Sequence, residues 1–256
     1  MEAATHFSPT TMSRRNALEH GSFSTQPAEA PHQLAAEEQV VVPRKTTEKI
    51  VRVVNVIVAA IALVLLLPVM LLVALAVRLT SRGPVIFRQV RVGEDRRSRK
   101  TTQYGRVYDH GGRLFTIYKF RTMHVDAEAD GQAIWAKKND PRTTPIGKFL
   151  RSTRLDELPQ LLNVLKGDMN IVGPRPERPS IFAQLRNDIP QYAQRQLVKP
   201  GITGWAQINQ SYDTCLDDVK SKVRYDLEYV QRRGVRHDLR IMSLTLPVML
   251  LRNKGW

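Results

Sequence analysis

The chain has 256 residues, of which 42% are hydrophobic, enough for one ordinary domain with accessories and a real core, so disorder throughout is excluded. Its formal net charge of +15, from 39 Lys and Arg against 24 Asp and Glu, calls for an anionic partner, whether nucleic acid, anionic lipid headgroups or a nucleotide substrate. The single cysteine, Cys215, excludes an internal disulfide, and no Cys/His cluster has zinc spacing, which places the catalytic part in a reducing compartment with Cys215 an ordinary thiol.

Residues 1–45 scatter Pro, Ser, Thr, Glu and Gln with no sustained period of 2 or 3.6 and are expected to be a disordered tail. They are no signal peptide, because no apolar run follows Arg14-Arg15. From Val53 to Val77 run 25 residues without a charge, more than the ~20 a helix needs to cross a bilayer, so membrane association is expected over 46–80. Basic residues flank both ends, Arg44, Lys45, Lys49 and Arg52 before and Arg78 and Arg82 after, and the positive-inside tendency would hold both flanks on the cytoplasmic face. Pro68 removes a backbone donor just past the middle and kinks or breaks the helix there. A re-entrant helix–break–helix fits both observations; a straight anchor with a tolerated proline kink is the alternative.

Residues 81–256 hold no second long apolar run, which excludes a multi-span transporter or many-helix transferase. Pro84–Phe87 and Leu114–Tyr118 are short β-prone runs, separated by a basic stretch from Glu94 to Arg113 that either lies against anionic headgroups or is a solvated loop. Farther on stands the acidic pair Asp156-Glu157. Thr153 or Asp156 can cap a helix carried by Leu158, Leu161, Leu162 and Leu165 and ended by Lys166-Gly167. A carboxylate at a helix N-terminus stays ionised beside N–H groups that also suit a phosphate, which makes Asp156 a candidate nucleophile. Glu157 would project elsewhere and could hold a hard cation such as Mg²⁺, which eases departure of a diphosphate leaving group. The plain alternative is a helix cap followed by a solvated acid. The basic residues Lys119, Arg121, Arg151, Arg154 and Arg175 favour the phosphate reading, since arginine forks match phosphate geometry and Gly173-Pro174-Arg175-Pro176 is a stiff loop that cannot continue a helix.

These blocks resemble the monotopic phosphoglycosyl transferases of the bacterial sugar transferase family. The resemblance runs from about residue 46 to the C-terminus through GPVIFRQVRVG (83–93), YKFRTM (118–123), DPRTTPIGKFLR (140–151), LDELPQLLNVLKGDMNIVGPRPERP (155–179), KPGITGWAQIN (199–209) and YDLEYV (225–230). It implies transfer of a hexose-1-phosphate from a UDP-sugar to polyprenyl (undecaprenyl) phosphate by ping-pong chemistry, starting exopolysaccharide or another glycoconjugate. It also implies Asp156 as the nucleophile of a phosphosugar-aspartate, Glu157 as the Mg²⁺ ligand and Arg175 on phosphate. Arg151 would lie near the membrane break at Pro68 and the polyprenyl phosphate, and Lys119, Arg121 and Asp226 would complete the binding set. The family's membrane helix is re-entrant with both ends cytoplasmic, which implies a bacterial inner-membrane, monotopic protein, with no nucleic acid among its partners and homo-oligomerisation left open.

Two departures stand out: Leu67-Pro68 where the family commonly has Ser-Pro, and a longer stretch between Gly93 and Leu114. Residues 1–45 are too short for the multi-span N-terminal domain some members carry, so a minimal catalytic form with a tail is expected. Leu239–Leu251 is apolar but too short to span and contains Pro247, which leaves core packing or an interfacial position; Trp205 and Trp256 are candidate interface anchors, Trp205 equally a turn residue. The expected fold is mixed α/β and mostly helical, with the re-entrant helix and amphipathic surface helices around a small catalytic domain. A membrane-anchored binder of anionic lipid or nucleic acid leaves the acidic pair and the rigid loop unexplained, and a nucleotide-sugar hydrolase differs only in using water as acceptor.

Overall fold

The computed structural model describes residues 45–95, 110–127, 140–210 and 215–251. The tail 1–44, the middle of the basic loop (96–109) and Trp256 lie outside them. Helix α1 spans Lys45–Thr80 and is long and apolar enough to cross a membrane. Pro68 sits inside it without ending it, so the expected break is a proline within one continuous helix. The physical reason is local: proline forfeits a single hydrogen bond, and the apolar, helix-favouring residues on either side carry the helix past it.

One face of α1 is packed at both ends. Val51, Asn55 and Ala59 near its start and Val73 and Val77 near its end are buried, whereas Ile50, Ile57, Val64, Leu65, Leu72 and Leu79 on the other face are exposed. The start is also tied by polar contacts. The Arg52 guanidinium donates to the carbonyls of Val164 and Leu165 at 2.6 and 3.0 Å, capping the negative end of a later helix. Asn55 accepts from the Ile171 amide at 2.5 Å, and Glu48 pairs with Arg233 at 3.2 Å.

The first β-prone run, Pro84–Phe87, only begins a strand, β1 (Ile86–Val92), that continues five residues past it through Arg88 and Arg91, while the second lies within β2 (Leu114–Phe120); the two are an antiparallel pair in which Phe87 faces Lys119 and Arg91 faces Phe115. Helix α2 (Pro145–Ser152) starts as its sequence demands: the Thr144 hydroxyl accepts from the Gly147 amide and Pro145 occupies the first turn. Helix α3 (Gln160–Lys166) ends where expected, at Gly167 with φ of 86°, a left-handed C-cap that glycine adopts freely. Strand β3 (Asn170–Val172) pairs in parallel with β4 (Gly201–Thr203). Backbones there meet so closely that a Cβ on Gly173 would lie 2.4 Å from the Lys199 carbonyl oxygen. Between these strands lies α4 (Pro179–Asp188), and after them α5 (Trp205–Asn209), α6 (Leu216–Arg232) and α7 (Val235–Leu251).

The main core joins α4, α6 and α7 through Phe182, Leu185, Val223, Leu227, Val230 and Ile241; a second cluster packs Ala59 on Phe115, Ile117 and Leu161, and a third packs Val73 and Val77 on Phe120 and Leu150. Helix α7 puts Ile241 of its apolar stretch in the core, while Leu239 and Leu246 face outward. Trp205 takes a structural role, donating from Nε1 to Glu228 at 2.9 Å, and Cys215 is an exposed thiol at the start of α6.

Candidate active site

The acidic pair is built by an unusual stretch of backbone. Arg154, with φ of 59°, is the one non-glycine residue with positive φ among the described residues, and such a conformation costs of order 1–3 kcal/mol. It turns the chain from α2 into a 3₁₀ turn, Leu155–Glu157, that precedes α3. Asp156 is therefore not the cap of α3, and neither is Thr153, whose hydroxyl donates back to the Phe149 carbonyl at 2.9 Å. Pro159 is the cause: without an N–H it cannot bond to Leu155, so the chain closes tighter i to i+3 bonds, from Leu158 to Leu155 and from Leu161 to Leu158.

Both carboxylates are buried, at 6% and 5% exposure, but their surroundings differ. Glu157 Oε1 receives Lys119 Nζ at 2.9 Å and Arg175 Nη2 at 2.8 Å, and Arg154 Nη1 stands 3.8 Å from its other oxygen. Burial opposes ionisation of Glu157, yet Arg175, Lys119 and Arg154 outweigh it and hold the group well below the usual carboxylate range. Asp156 receives no side-chain hydrogen bond from the described residues. Burial pushes it up to about 6, with Glu157 adding repulsion and Lys119, Arg175 and Arg151 pulling the other way. Two neighbouring acids are thus driven apart, one held ionised by its cationic partners, the other buried without a side-chain donor among the described residues.

Arg175 reaches Glu157 because its loop is clamped. The Gly173 amide donates to the Thr203 carbonyl and the Gly201 amide to that of Pro174, while Arg91 holds the Pro176 carbonyl at 3.0 Å. Arg195 donates to the Arg175 carbonyl at 3.0 Å and pairs with Asp226 at 2.7 Å, both side chains almost fully buried. Behind them Lys222 pairs with Glu177 at 3.0 Å. Burial opposes the charge on Glu177, but Lys222, Arg195 and Arg91 bring it down to about 2.

The structure brings together Lys119, Asp156, Glu157 and Arg175, with Arg151 close enough to act on Asp156 electrostatically. Arg151 follows Leu150, which packs against α1 just beyond Pro68, so this flank of the site adjoins the long apolar helix. Two expected ligands are placed differently. Arg121 donates to the carbonyls of Ser81, at 2.8 Å, and Arg82, so its guanidinium fastens β2 to the end of α1. Asp226 lies in the interior on Arg195, whose guanidinium also donates to the Arg175 carbonyl. Arg91, Arg195, Glu177 and Lys222 were not singled out from the sequence; Arg91 and Glu177 lie within the 83–93 and 155–179 blocks, whereas Arg195 and Lys222 lie outside all of them.

Among the described residues no group of three metal-ligating side chains comes together, so no closed protein cage for a cation is present there. Mg²⁺ takes one or two carboxylates and fills its shell with phosphate oxygens and water; of the pair, Asp156 has no side-chain donor on it among the described residues, whereas Glu157 Oε1 is held by Lys119 and Arg175.

The family model for bacterial sugar transferase matches residues 46–252. The chain is 45% identical over 194 residues to a UDP-glucose:undecaprenyl-phosphate glucose-1-phosphate transferase of Klebsiella pneumoniae, covering 75% of this chain and 38% of that protein. It is 40% identical over 196 residues to a UDP-N-acetylgalactosamine-undecaprenyl-phosphate N-acetylgalactosaminephosphotransferase of Aeromonas hydrophila, covering 77% and 42%. A UDP-glucose:undecaprenyl-phosphate glucose-1-phosphate transferase of Caulobacter vibrioides is 36% identical over 216 residues, 84% of this chain and 74% of that protein. The chain thus spans about two fifths of the first two relatives and about three quarters of the third. With the matched region taking in the membrane helix, the acidic pair and the clamped arginine loop, the chain belongs to the bacterial sugar transferase family.

Proposed function

We propose that the protein is a phosphoglycosyl transferase that moves a hexose-1-phosphate from a UDP-sugar to polyprenyl (undecaprenyl) phosphate, initiating exopolysaccharide or other glycoconjugate synthesis. The observation that carries this reading is the division of labour in the acidic pair: Asp156 is buried with no side-chain donor committed to it, while Glu157 gathers Lys119 and Arg175 beside it. In the first half-reaction an Asp156 oxygen attacks the phosphorus that bears the sugar. The bond from that phosphorus to the bridging oxygen breaks, and UMP leaves with the oxygen and its electron pair. In the second, an oxygen of the polyprenyl phosphate attacks the same phosphorus and the Asp156 carboxylate departs. Lys119 and Arg175 are placed to draw the diphosphate to the pair and to balance charge as UMP leaves, since donors fixed before the reaction need no reorganisation during it. Mg²⁺, held by Glu157 and Asp156 with the diphosphate, would neutralise phosphate oxygens when bound.

The lipid acceptor reaches this site if the protein is monotopic. Both ends of α1 are docked on the catalytic domain, and the stretch between Ala59 and Val73, residues 60–72, measures ~20 Å at 1.5 Å per residue, short of the ~30 Å hydrocarbon core. A helix bound at both ends to one domain cannot place that domain's two attachment points on opposite sides of a bilayer. We therefore place α1 in one leaflet of the bacterial inner membrane, re-entrant, with the catalytic domain on the cytoplasmic side, where nucleotide sugars are found.

The test follows UMP release by the solubilised protein with Mg²⁺ and a panel of UDP-sugars, with and without undecaprenyl phosphate, beside Asp156→Asn. Continuous release that needs both the lipid and Asp156 is the expected result. Release beyond one equivalent without lipid would make the protein a hydrolase, and none with any UDP-sugar would refute the transferase.

A further inference from the structure

We propose that Gln160 is a further catalytic residue, its side-chain amide donating to the phosphoryl group as it transfers to Asp156; this rests on the reading of the reaction given above. Gln160 is 2% exposed, and its Nε2 is buried with no hydrogen-bond partner among the described residues. A buried donor left unpaired is costly to a fold and uncommon. It is not slackness of the helix as a whole, because the amide of Asn163 is matched at both ends, to the Thr116 carbonyl at 2.7 Å and the Tyr118 amide at 3.1 Å.

The backbone says where the free donor lies. Leu158 and Pro159 have right-handed helical angles, so the 3₁₀ turn Leu155–Glu157 runs on into α3 without reversing, and Gln160 stands three residues after Glu157 and four after Asp156. Helical side chains lean toward the N-terminus and cover the turn before their own, which for Gln160 is the turn of the acidic pair. Lys119 and Arg175 already bond to Glu157, so among these side chains Gln160 is the one with a buried donor unspent. A donor unpaired in the free protein and satisfied by an oxygen of the transferring phosphoryl group acts only when that group is present, which is how a donor speeds a reaction rather than strengthens a fold.

The experiment compares wild type with Gln160→Met, of similar size and without polar hydrogens. Purified full-length protein with Mg²⁺ and no lipid is mixed with UDP-glucose or UDP-N-acetylgalactosamine, whichever gives the larger wild-type burst, and the first-turnover release of UMP is timed by rapid quench. Thermal midpoints are read on the same samples. The expected result is a burst slowed ~10²-fold, as for loss of one transition-state donor, with a midpoint equal to or above wild type because the orphan donor is gone. A burst as fast as wild type overturns the role of Gln160 alone, and so does a slower burst with a lowered midpoint, the mark of a structural amide. If Gln160→Met does not fold, Gln160→Leu, which also carries neither a polar hydrogen nor a charge, is held to the same two readouts. No burst from the wild type would overturn the underlying reaction and this proposal with it.

Discussion

Replacing Asp156 with Asn should make the protein inactive and more stable. Unfolded, the carboxyl ionises near 3.8; folded, burial carries it to about 6, so the fold is favoured by the protonated form. Stability is then fully present below pH 4, falls as pH rises through about 6, and stays low above. At about 1.4 kcal/mol per pKa unit the cost of ionising Asp156 in place is ~3 kcal/mol. An amide of the same shape escapes the charge cost but keeps a polar burial cost, so Asp156→Asn should gain ~1–3 kcal/mol, a rise of about 2–12 °C in midpoint for a domain this size. Thermal unfolding followed by tryptophan fluorescence in detergent, without divalent cations, measures it at pH 8 and pH 4. The two proteins should differ at pH 8 and converge at pH 4. A variant no more stable than wild type at pH 8 would refute the burial argument, and with it the view that the fold bears a cost to hold Asp156 uncommitted.

The acid limb of kcat/KM for the UDP-sugar should follow Asp156 and fall away below about 6, whereas an ordinary aspartate would keep activity to near 4. Glu157→Gln leaves Lys119 and Arg175 facing a neutral amide, which should cost ~3 kcal/mol in denaturant unfolding; removing the repulsion from Glu157 should also move the acid limb of any residual activity below about 6. Asp226→Ala strands Arg195 in the interior and should cost ~3–5 kcal/mol while loosening the Arg175 carbonyl, so midpoint and UMP-release rate should fall together.

Much of the site was legible because its parts are local. Short β-prone runs mark the opening of β1 and most of β2, the uncharged run marks α1, and the Gly-Pro-Arg-Pro sequence announces a rigid loop whatever lies around it. The helix start at Asp156 was misplaced for a local reason that was visible but unused: Pro159, three residues on, denies the backbone an α-helical bond and imposes a 3₁₀ turn. What could not be read were pairings set by packing. Nothing near Asp226 in the chain points to Arg195, 31 positions away, and nothing near Arg121 shows that it would be taken up by the carbonyls closing α1. A basic residue beside an acidic motif reads as a phosphate ligand until the fold shows which oxygens it has already found.

The central claim is that Asp156 carries the phosphosugar between donor and acceptor. Intact-mass analysis of the wild-type protein, mixed with UDP-sugar and Mg²⁺ in the absence of lipid, tests this most directly, with fragmentation to locate any adduct. A gain of one hexose-phosphate on the peptide holding Asp156, discharged when undecaprenyl phosphate is added and missing from Asp156→Asn, is the result expected. An adduct on another residue, or turnover to lipid-linked product with no adduct in any quench, would contradict it.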